Sequence, residues 1–124
     1  MARLVRVVRP LAALVLASVA LSACGTSGAV TDARASCVFV KRAIELQTQS
    51  EAINLTAAQR ATLQGRAMSA LLKATPAAAD ATSLDGSWNA LMTTINESER
   101  VPLKNLVPSL TRLCKVADSS SPYL

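Results

Sequence analysis

The chain has 124 residues, 51% hydrophobic and 2% aromatic, with no histidine, three cysteines, and 13 Lys+Arg against 8 Asp+Glu for a formal charge of +5. That length holds one small domain, and the missing histidine excludes Ser-His and Cys-His nucleophile pairs and any imidazole metal site. Phe39, Trp88 and Tyr123 are the only aromatics and no basic run joins them, which excludes a stacking platform for nucleic acid.

The first element is an address. Arg3, Arg6 and Arg9 fall in an acid-free opening segment, and Leu11 to Ala23 follows with only Ser18 and Ser22 polar. This is the layout of an export signal, and its apolar run is shorter than the ~20 residues that cross a hydrocarbon core of ~30 Å. Leu21-Ser22-Ala23-Cys24 then resembles the bacterial lipobox, followed by a small Gly25. The resemblance implies that the Cys24 thiol accepts a diacylglyceryl group, that residues 1–23 are a signal peptide removed by cleavage, and that lipid on Cys24 anchors the protein to the outer face of the bacterial cytoplasmic membrane, or in an outer membrane if the cell has one. Two or more lipid chains give firm anchoring. Cleavage removes three arginines and leaves ten basic against eight acidic side chains, so the balance drops to +2 and nucleic acid is not expected as a partner.

Residues 24–31 are expected to be a short lipidated leader, residues 32–118 a helical domain, and residues 119–124 a C-terminal tail. The first helix is predicted at about Asp32 to Ser50, where Ala33, Cys37, Val40 and Ile44 recur at helical spacing and Phe39, Ala43 and Leu46 widen the apolar stripe. A second helix should start after Thr56, whose hydroxyl can cap free amides while Gln59 completes a capping box. Leu63, Ala67, Ala70, Leu71 and Ala74 form its inner face. Pro76 should break this helix or start a new turn capped by Thr75. Ala77 to Ser83 reads as a short helical turn, and Leu84, Trp88, Leu91 and Ile95 give the next stripe, with Asp85-Gly86 disturbing its start. The last helix, roughly Pro102 to Ala117, carries Leu103, Leu106, Val107, Leu110, Leu113, Cys114 and Ala117. Pro108 should kink it, unless Asn105 is the cap and Pro108 falls in the first turn.

With Cys24 acylated, Cys37 and Cys114 remain as one pair, and outside the cytoplasm a disulfide between them can persist. Cys37 lies early in the first predicted helix and Cys114 late in the last, so a bridge needs those ends adjacent. With short loops that requires an even number of helices. The expected fold is therefore all-α, an up-down four-helix bundle with its first and last helices joined by a disulfide. On that arrangement Arg34, Lys41, Lys73, Arg112 and Lys115 gather at the lipidated end, offset by Asp32, Asp80 and Asp118, while Glu51, Glu97 and Glu99 with Arg100 lie at the far end.

No catalytic constellation emerges. There is no Gly-rich phosphate loop, no Ser-x-x-Lys and no Asp-x-Asp loop. Glu97 and Glu99, two apart, point in different directions on a helix. The expectation is a non-catalytic lipoprotein of the cell envelope, an interaction or structural module with an envelope protein as partner and without cofactor or metal. The alternative is a carrier for a small apolar ligand held between the helices, with Trp88, Met92 and Leu110 as candidate lining. Beyond the lipobox, the Ala-rich, histidine-free domain resembles the small exported helical lipoproteins of unknown function from high-GC Gram-positive bacteria, a likeness that carries no residue motif and implies no activity.

Overall fold

A computed structural model describes the backbone of residues 5–119 and the side chains of residues 28–119. The whole of the expected signal peptide, Cys24 and the next three residues of the expected leader, and residues 120–124 of the expected tail lie outside the described side chains. Among the described residues the protein is all-helical, with α1 at Val5–Ser50, α2 at Ala57–Lys73, α3 at Thr75–Leu84, a single 3-10 turn at Gly86–Trp88, α4 at Asn89–Glu97 and α5 at Leu103–Ser119. None of these helices, among the described residues, is long and apolar enough to cross a membrane.

Helix α1 shows no break at Asp32. Ala29 and Val30, expected in a leader, are already buried in the core, so the packed domain begins several residues earlier than the polar Gly/Ser/Thr composition suggests. Ala33, Cys37, Val40, Ala43 and Leu46 are buried as expected, and Ile44 packs at the core's edge. Phe39 departs from the pattern and is 37% exposed. Across the seam stand Ala67, Ala70 and Ala74, small enough to bring α2 close, and a buried Ser36 on α1 donates its hydroxyl to the Ala74 carbonyl at 2.9 Å. Phe39 stands between the exposed Val38 and the fully buried Val40, at the edge of the buried stripe.

The α1–α2 connection closes with a complete capping box. The Gln59 amide donates to Thr56 Oγ1 at 3.1 Å, and the Thr56 amide donates to Gln59 Oε1 at 2.9 Å. Arg60 reaches back from the same turn, donating from Nε to the Ser50 carbonyl at 3.0 Å and from Nη2 to that of Ala52. A cation thereby satisfies carbonyls that the end of α1 leaves free and complements the helix dipole.

The second helix ends before Pro76, as expected. Pro76 has no amide to continue the ladder, and α3 begins with Pro76 in its first turn and Ala74, not Thr75, at the cap position, without a side-chain cap. α3 ends at Leu84 because Asp85 is extended, with φ −150° and ψ 110°. Leu84 is therefore half-exposed on α3 and does not share a helix with Trp88, Leu91 and Ile95, which are buried beyond the break. The Asp85 carboxylate accepts from the Ser87 amide at 3.0 Å and caps the 3-10 turn. α5 starts at Leu103 and passes through Pro108, which lies inside the helix and beyond its first turn; Asn105 is not its cap. Leu103, Leu106, Leu110, Cys114 and Ala117 form its buried face.

Contacts along α1 order the other helices. Ser36 meets Ala74 and Gly28 lies beside Leu84, so α2 and then α3 run back along α1 as one interrupted arm. Cys37 is bonded to Cys114, with Cα atoms 5.5 Å apart, and Arg34 Nε donates to the Ala117 carbonyl at 2.9 Å, so α5 also runs against α1. α4 packs on α3 and α5. Among the described residues there are thus five α-helices, the short helical turn expected after Pro76 being the ten-residue α3. Leu71, Leu91, Ile95, Leu110 and Val40 are the largest apolar side chains withdrawn fully from water, each stabilising by ~1.5–3 kcal/mol.

Candidate functional site

The end of the domain nearest Cys24 is assembled from three elements. α1 enters the core there at Gly28 and Ala29, α3 leaves it at Leu84 and the Asp85–Ser87 turn, and α5 ends further along α1, where its Ala117 carbonyl meets Arg34. Gly28 matters at this junction. A Cβ built on it would stand 3.3 Å from Leu84 Cδ1, so the missing side chain lets the end of α3 sit against α1. Leu84 remains 52% exposed.

Charges at this end are mixed and partly used. Lys41 forms an ion pair with Asp118, and Arg34 holds the α5 carboxyl end through Ala117, so two of the five expected basic side chains tie α5 to α1. Arg112 and Lys115 are exposed on α5, while Lys73 does not join this end as expected: it lies with Arg42 and Arg66 between α1 and α2, because α2 ends against the middle of α1. Asp85 adds a fourth acid to Asp32, Asp80 and Asp118. The Ser87 backbone amide and then the Ser87 hydroxyl hydrogen-bond to the Asp85 carboxylate and hold it below the ordinary carboxylate range, so it carries its charge. At the far end Glu97 pairs with Arg100 at 3.3 Å within one turn, an exposed contact of small energetic weight.

The surface grooves among the described residues include four of note. A largely apolar one, about 430 Å³, runs between α1 and α5 over the disulfide and is lined by Ile44, Cys114 and Thr111, together with Lys41, Glu45, Lys115 and Asp118. Another, about 220 Å³, lies between α1 and α2 and brings Arg42, Arg66 and Lys73 around Ser69. Helical spacing on each strand of sequence does not reveal that trio, because Arg42 and Arg66 meet only once α2 folds back. The remaining two lie at the far end, one beside Gln47 and Leu103 and one beside Leu55 and Leu63. At the tip of the α1–α2 connection Ile53 is 93% exposed.

The candidate ligand-lining residues do not converge on any of these grooves. Trp88 and Leu110 are buried in the core, and Met92 packs against it from a half-buried position. Trp88 Nε1 is buried without a hydrogen-bond partner, a cost of about 1–3 kcal/mol for an unsatisfied donor that the burial of its ring offsets. Cys37 and Cys114 are closed into a disulfide and are 0% and 2% exposed, which removes both from thiol chemistry. Among the described residues no three His, Cys, Asp or Glu side chains gather as metal ligands.

No protein-family model, curated protein or solved structure matches this chain.

Proposed function

We propose that the chain is an extracytoplasmic lipoprotein, held to the bacterial cell membrane by lipid on Cys24, whose helical domain is an up-down four-helix bundle serving as a non-catalytic interaction or structural module of the cell envelope. The packing supports that bundle. The α2–α3 arm and α5 both flank α1, and α4 lies between α3 and α5, which is the neighbour pattern of four arms around one core.

The observation that carries the functional reading is the cysteine pairing. With Cys37 bonded to Cys114, the one remaining cysteine is Cys24, and it stands directly after Leu21-Ser22-Ala23 behind a basic and apolar export layout. A disulfide also suits a compartment outside the cytoplasm. The far end, with Ile53 at its tip, is the surface open to an envelope protein partner.

The test is metabolic labelling with an alkyne fatty acid in a bacterial host. The native chain should incorporate label, Cys24→Ser should abolish it, and inhibiting the lipoprotein signal peptidase should accumulate a precursor longer by residues 1–23. Label that persists in Cys24→Ser refutes the reading. The carrier alternative is supported at a different place from the expected one. The groove over the disulfide exceeds the ~300 Å³ floor of small-molecule sites, whereas Trp88, Met92 and Leu110 line none of the grooves described.

A further inference from the structure

We infer that the lipidated domain has no working tether: the end bearing Leu84 and the Asp85–Ser87 turn is held in the lipid headgroup layer, with Leu84 as its apolar contact. This rests on Cys24 being acylated. From Cys24 to the first fully buried side chain, Ala29, the chain advances five residues. As helix they rise about 7.5 Å, and even fully extended they reach no more than about 17 Å. A headgroup layer occupies roughly 5–8 Å on each side of the hydrocarbon core. A diacylglyceryl group on Cys24 sets that residue at the base of this layer. Gly28 then stands about 6 Å above it along the helix, at headgroup depth, and Leu84 touches Gly28.

Leu84 is the side chain best suited to that depth. It ends α3, is 52% exposed in water, and is followed by the exposed Gly86 and Ser87, whose small size lets the turn approach lipid closely. Charge plays the lesser part. Asp32 stands about 6 Å along α1 from Gly28, and Asp80 and Asp85 lie on α3 and in the turn that follows it, whereas Lys41 is about 20 Å further up α1, so electrostatic attraction to an anionic surface does not draw this end down and the covalent lipid sets the contact. A fixed attachment orients the molecule: α1 stands away from the bilayer and carries Ile53 about 40 Å from Cys24, facing whatever lies beyond the membrane.

The experiment uses the full chain, lipidated in a bacterial host and reconstituted in phosphatidylethanolamine–phosphatidylglycerol vesicles. With Cys24 acylated and Cys37–Cys114 oxidised, Leu84→Cys or Ile53→Cys supplies a single thiol for a polarity-sensitive fluorophore. Nitroxide-bearing lipid should quench the label at position 84 at least about threefold more than at position 53, because only the former lies at headgroup depth. A flexible Gly/Ser insert of about twelve residues after Thr26, random-coil in character, should bring position 84 down to the level of position 53. Equal quenching at the two positions, or quenching at position 84 that the insert leaves unchanged, overturns the inference. Intact-mass measurement of the same samples reads the acylation separately: absent lipid mass defeats the lipoprotein reading, while lipid mass with equal quenching defeats only the docked end.

Discussion

Opening the Cys37–Cys114 bridge should destabilise the domain more than any single surface change. The two residues are 77 apart in sequence, and the closed loop contains the rest of α1, all of α2, α3 and α4, and most of α5. In the chain-entropy model a loop of that length constrains the unfolded chain by about 4.5 kcal/mol. A domain of this size has roughly 5–14 kcal/mol in all, so the bridge supplies a third of its stability or more. Both cysteines are shielded, at 0% and 2% exposure, so a reductant reaches the bond only when the packing of α5 on α1 opens. The assay is urea unfolding of the Cys24→Ser full chain, followed by far-ultraviolet circular dichroism with and without prior reduction in denaturant. With a urea dependence of about 1.5 kcal/mol per molar, the midpoint should fall by about 3 M. Cys37→Ala/Cys114→Ala should match the reduced protein to within the loss from two small buried side chains. A midpoint that falls by less than about 0.7 M, or about 1 kcal/mol, would show that the unfolded chain is not constrained as argued and would refute the reasoning.

Two smaller effects follow from named hydrogen bonds. Ser36→Ala removes a buried donor from the Ala74 carbonyl, which keeps its bond from the Ala78 amide, so the loss should be about 1 kcal/mol and no more; thermal denaturation measures it, and a loss above about 3 kcal/mol would mean the hydroxyl does something else. Thr56→Ala breaks the capping box at the start of α2 and should cost about 1 kcal/mol, with faster amide exchange at Gln59, whose hydrogen bond is lost, than in the rest of α2.

Much of the fold was legible because local rules and tertiary demands agree along most of the chain. The capping box at Thr56, the inner faces of α2 and α5 and the pairing of Cys37 with Cys114 all appear where spacing and chemistry place them. The misses cluster where one helix meets another. Phe39 is expected to widen the buried stripe, yet it lies at the stripe's edge beside the exposed Val38. Leu84 fits the stripe of Trp88, Leu91 and Ile95, yet Asp85 turns the backbone and assigns Leu84 to the preceding helix. Ala29 and Val30 read as linker because Gly25, Thr26, Ser27 and Gly28 surround them with turn-forming residues, yet the packed end of the domain recruits them.

The candidate site divides along the same line. The Leu21-Ser22-Ala23-Cys24 run that resembles a lipobox, the presence of Cys37 and Cys114 as a possible pair and the absence of histidine are properties of residue types and short spacings, and the sequence by itself determined them. The meeting of Gly28 with Leu84, of Arg34 with Ala117, and of Arg42 with Arg66 and Lys73 belongs to the tertiary structure alone. Helical period determines which face of each helix turns inward, but not the height or angle at which two faces meet. Those are set by side-chain volumes across each seam, where alanines draw α2 and α3 close and one disulfide holds α5 in register, and by partners 24 or more residues away that no local pattern contains.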